Sequence, residues 1–132
     1  MHPAAAQEDP NMGAHPLNLA LRFLLELAAL ASMALWGWQR GEGWTRFLFA
    51  LLIPIVAAAL WGTFAVPGDP SRSGAAPVPV SGILRLAIEA LVFGVGCWML
   101  RDAGVPRAAG VLAAIVLAHY VISYDRIRWL LQ

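Results

Sequence analysis

Four stretches of the chain, about 17–38, 47–66, 82–100 and 108–127, are almost uninterrupted apolar residues. Each approaches the roughly 20 residues a helix needs to cross about 30 Å of hydrocarbon, so the pattern predicts four membrane helices. Polar residues collect between the runs. "QRGEGWTR" separates the first two and "RDAGVPR" the last two; both are short and carry Gly or Pro, which predicts tight helical hairpins. The connection 67–81, "PGDPSRSGAAPVPVS", is longer, rich in Pro, Ser and Gly, and divides the two hairpins. The first sixteen residues hold Glu8, Asp9, three prolines and no Arg or Lys. They lack the basic region of a cleavable signal and are expected as a disordered tail, with 17–132 as one all-α, four-helix membrane domain. Pro54 falls inside the second helix, where a membrane helix tolerates a kink.

The apolar pattern is broken twice in the same way. "LRFLLELAAL" at 21–30 and "LRLAIEALVF" at 84–93 each place an arginine four residues before a glutamate, and a shift of 63 positions lays Leu21, Arg22 and Glu26 on Leu84, Arg85 and Glu89. With two crossings per half, this weak repeat would be parallel rather than inverted. At 1.5 Å per residue Arg22 lies roughly 7 Å into the first helix and Glu26 roughly 13 Å, near the midplane. A carboxylate there costs on the order of 2.5–3.5 kcal/mol or more if it meets lipid, so both glutamates must face inward. Each Arg can pair with the Glu of its own helix face. The alternative is a reciprocal clasp between halves, Arg22 with Glu89 and Arg85 with Glu26, and that is the favoured expectation. The same depth count puts His119 at the level of the glutamates, with Tyr124 and Asp125 at the level of the arginines, and brings Trp61 from the second helix as a further candidate for the rim of a pocket. The half of the bundle near the hairpin turns is nearly all apolar, which argues against a channel through one subunit. Asp125, Arg126 and Arg128 read as a solvated helix end. Gly37, Gly94 and Gly96 read as close-packing positions, and Trp36, Trp38, Trp44, Trp61 and Trp129 as interface anchors.

Composition sharpens this picture. Of 132 residues, 60% are hydrophobic and only 13% charged, outside the range of soluble domains. The net charge is +1 and the nine basic residues, all Arg, are scattered, so there is no footprint for nucleic acid. Cys97 is the single cysteine, which leaves no disulfide framework, and no metal or other cofactor is expected. No Ser-His-Asp spacing, zinc motif or phosphate loop is present, so no enzymatic activity and no catalytic residue is expected.

The segments "LRFLLELAAL", "IPIVAAALWGTFAVP" and "LRLAIEALVFG" resemble the YrdB family of small four-helix membrane proteins, a domain of unknown function. The resemblance spans about 17–130. It implies a small multi-pass membrane protein and brings no activity or catalytic residue with it. The connection 67–81 is longer than that pattern requires. The leading expectation is a non-enzymatic accessory or assembly protein, with the lipid bilayer, a second copy or another membrane protein as partner, in a bacterial plasma membrane. The alternative is a proton-coupled transporter or binding protein for a small solute, using Glu26 or Glu89 with His119 as relay. Arginines are nearly balanced between the two sides, so orientation stays open, while an even number of crossings puts both termini on one side.

Overall fold

The computed structural model describes residues 12–72 and 75–132, and it is built of helices: α1 Pro16–Arg40, α2 Thr45–Thr63, α3 Gly82–Asp102, α4 Pro106–Ile122 and α5 Tyr124–Leu130. Two-residue strands β1 Phe64–Ala65 and β2 Val78–Pro79 pair in parallel between α2 and α3. Local chemistry fixes the helix starts. Pro16 opens α1 where its missing N–H costs nothing, and the His15 ring accepts the Leu17 N–H at 3.1 Å. Ser81 Oγ accepts the Leu84 N–H at 3.2 Å to start α3, and Pro106 opens α4. Gly104, at φ +97°, makes the turn between α3 and α4 that a side chain would resist.

Three helices, α1, α2 and α3, are long and apolar enough to cross a membrane, and a fourth crossing exists if α4 and α5 count as one span. Their outer faces carry Phe23, Leu51, Ile55, Leu91 and Leu117, all exposed, which is the surface a lipid-facing helix shows. Inside, Leu25, Ala29, Phe93, Leu112 and Val116 form one apolar cluster, and Met33, Ala57 and Val92 a second. Gly96 lets α3 approach α1, since a Cβ there would stand 3.1 Å from that of Ala29. Gly37 does the same for α1 and α2, against the Phe49 carbonyl. Gly94 is different from expectation: no atom lies near its added Cβ, and it borders an open apolar groove of about 470 Å³ that α3 shares with α4.

Three expectations about the elements need correction. Residues 1–11 of the predicted tail lie outside the described residues, but the tail does not reach residue 16. Met12–Ala14 is a 3-10 turn, and the Gly13 N–H is held by both carboxylate oxygens of Asp125 at 3.0 Å. The second helix ends at Thr63 rather than 66, because the chain is drawn into the β1–β2 pair and Arg85 Nη1 takes the carbonyls of Trp61 and Phe64 at 2.6 and 2.7 Å. The fourth run is not one helix through 127. It bends by 71° at Ser123, whose hydroxyl accepts from Asn18 Nδ2 at 2.6 Å, and the bend carries Arg126 inward. At the opposite end, Asp102 receives Trp36 Nε1 at 2.9 Å and pairs with Arg40, so Trp36 ties α1 to α3.

Candidate functional site

The buried charges meet at Glu89. Helical spacing sets Asn18, Arg22 and Glu26 on one face of α1 and Arg85 and Glu89 on one face of α3; packing of α1 on α3 then brings the two faces together. Glu89 Oε2 accepts from Arg22 Nη2 at 2.7 Å, Arg85 Nε at 2.8 Å and Arg126 Nη2 at 2.7 Å. Oε1 accepts from the Tyr120 hydroxyl at 2.6 Å and Arg126 Nη1 at 3.0 Å. One carboxylate thus joins four helices. Arg126 extends the cluster to the middle connection, donating from Nε and Nη2 to Asp69 at 2.9 and 2.7 Å. The planar guanidinium serves two carboxylates at once, as lysine could not. Burial opposes ionisation of Asp69, but the Arg126 guanidinium, with the Ser71 N–H and hydroxyl, outweighs it and holds this carboxyl below the usual range.

The reciprocal clasp is corrected. Arg22 does cross to Glu89, but Arg85 remains with Glu89 of its own helix and makes no ion pair with Glu26. Among the described residues Glu26 makes one ion pair, with Arg22 Nε at 3.4 Å. The Trp61 indole lies beside it, yet Glu26 accepts no hydrogen bond of ordinary geometry among the described residues. The reason is supply: Arg126 and Tyr120 reach Glu89, whereas Glu26 faces Leu30, Ala57, Ala58, Trp61 and Val92 around a cavity of about 90 Å³.

The remaining candidates divide. Trp61 is at the centre, its ring under the guanidinium carbons of Arg22 at 5.0 Å and Arg85 at 4.6 Å, a cation–π arrangement strengthened by desolvation. His119 is buried but outside the carboxylate network, with Nδ1 3.0 Å from Asn18 Oδ1. Asn18 Nδ2 already donates to the Met12 carbonyl and Ser123, so Oδ1 is the acceptor and the histidine proton sits on Nδ1. Tyr124 lines none of the cavities described above: it is exposed and stacks with Arg128. Asp125 serves the N-terminal turn, accepting from the Gly13 N–H. Arg126 is no solvated helix end but 1% exposed. It, Asp69 and Tyr120 are the members that sequence reading missed. Asp69, the lone acid of the connection, and Arg126, one turn beyond an apolar run, were the available signals.

Fold and site together define a class: a small all-α protein with helices apolar enough to span a membrane and a buried Arg–Glu–Asp cluster. Residues 20–117 match the family described as "Protein of unknown function (DUF2568)". The chain is 40% identical over 115 residues to "Uncharacterized protein YrdB" of Bacillus subtilis (strain 168), covering 87% of this chain and 94% of that relative. The chain belongs to this family. No solved structure matches it.

Proposed function

We propose that the protein is a multi-pass integral membrane protein, four crossings with both termini on one side, in which the Glu89 cluster locks the two hairpins and the middle connection into one unit that acts as a non-enzymatic accessory or assembly partner. The observation that carries this reading is the saturation of Glu89: five donors from α1, α3, α4 and α5 occupy its two oxygens. A carboxylate so committed has no lone pair left for a substrate, and its role is to fix helix register, the best-attested use of buried ions. The apolar outer faces then supply the contacts with lipid and with protein. Alkaline carbonate extraction followed by crosslinking in native membranes tests both parts. Retention in the membrane pellet with a reproducible crosslinked species supports the reading. Release into the supernatant sinks the membrane assignment, and a monomer under every crosslinker sinks the assembly role.

A further inference from the structure

The two RxxxE segments are completed differently, and the difference has a shape. Beside Glu89 stands Tyr120, whose phenolic hydroxyl donates to Oε1 at 2.6 Å. The residue 63 positions before Tyr120, the offset that relates Glu89 to Glu26, is Ala57. Ala57 lines the cavity of about 90 Å³ at Glu26. Where one carboxylate has a phenol, the other has a space.

From this juxtaposition we infer that the Glu26 cavity is a binding site for a neutral, lipid-soluble molecule with a phenolic hydroxyl, which donates to Glu26 as Tyr120 donates to Glu89. Electrostatics select a neutral guest. Arg22 stands 3.4 Å from the Glu26 carboxylate, and Arg22 and Arg85 already lie over Trp61, so a cation would meet two guanidiniums. An anion would meet the carboxylate itself. The walls select an apolar body: apart from Glu26 they are Leu30, Ala57, Ala58, Val92 and the Trp61 ring. The volume is that of about three waters, which seats the hydroxyl and the leading edge of a ring while the rest of the guest lies in the mouth. Glu26 is 24% exposed and Ala58 lies at the surface, so the mouth opens sideways, toward lipid in the membrane reading on which this inference rests. A guest would arrive by partitioning into the bilayer.

The test uses the full chain in phosphatidylcholine nanodiscs, with p-cresol as probe and toluene as the control that lacks the hydroxyl. The unfolding midpoint should rise saturably with p-cresol, at a half-saturating concentration about tenfold below any effect of toluene, the difference one hydrogen bond to a carboxylate makes. Glu26→Leu should lose the response. Ala57→Tyr should supply the phenol from the chain itself, raising the midpoint without added ligand and abolishing the response to p-cresol; it decides the matter if Glu26→Leu does not fold. Equal effects of p-cresol and toluene, or an unchanged p-cresol response in either variant, would overturn the site. Flotation with vesicles is run alongside: a protein that does not float removes the membrane reading and this inference with it, whereas one that floats and ignores p-cresol removes the inference alone.

Discussion

Glu26 and Glu89 occupy the same place in two segments that share the Leu-Arg-x-x-x-Glu spacing, yet one is 24% exposed with one long ion pair among the described residues and the other is fully buried among five donors. The Arg-x-x-x-Glu spacing is the same; the neighbours are not. The segment after α3 returns with Tyr120 and, past a bend, Arg126, while the segment after α1 returns with Ala57 and Thr63 at the matching offset. A glutamate inside an apolar helix therefore acquires its role from what the adjacent helix delivers. A motif read alone would assign both residues the same part.

That contrast can be broken by mutation, and the largest effect belongs to Glu89. Glu89→Gln leaves three buried arginines facing an amide and should destabilise the detergent-solubilised protein by about 3–5 kcal/mol, the cost of orphaning a buried ion. The unfolding midpoint in a graded SDS titration measures it, and a change under about 1 kcal/mol would remove Glu89 from the centre of the structure. Asp69→Asn should come next, at about 2–3 kcal/mol for weakened charged hydrogen bonds. Its pH signature is distinct. Because the folded-state carboxyl titrates below its usual range, the stability it contributes is complete above about pH 4 and lost as pH falls further, so the gap between wild type and Asp69→Asn should narrow only on the acid side. A gap that closes near neutrality would contradict the Asp69–Arg126 pairing.

Tyr120→Phe removes one donor while Arg126 still serves Glu89 Oε1, and about 1–1.5 kcal/mol is expected in the same titration. A loss equal to that of Glu89→Gln would mean that the phenol, not the guanidiniums, holds the cluster. Glu26→Gln should matter least, below about 1 kcal/mol, since the carboxylate has only a 3.4 Å contact to lose. If it proves as damaging as Glu89→Gln, the two halves are equivalent after all and the contrast drawn from the geometry is wrong.

Much was legible in the chain. Apolar runs of membrane length marked the helices because hydrocarbon leaves a backbone no partner but itself. Two RxxxE spacings marked Arg22, Glu26, Arg85 and Glu89 because a charge in such a run must have an inward reason. Less was legible in the partners. Arg126 looked like part of a wet helix end because a polar run after an apolar one gives no sign of a 71° bend, and Asp69 looked like an ordinary loop acid in a Pro- and Gly-rich segment. Tyr124 and Asp125 were placed near the cluster by depth along a straight helix, and the bend at Ser123 removed them from it.

The helices, their apolar outer faces and the presence of buried charge follow from the order of residues alone, since each depends on spacing along the chain and on transfer from water. Which charge meets which depends on how the helices pack. Arg85 stays with Glu89, Arg126 reaches both Glu89 and Asp69, and Glu26 is left beside a cavity. Ion pairing in a low-dielectric interior depends on ångström distances between residues tens of positions apart, and those distances exist only once the helices have packed.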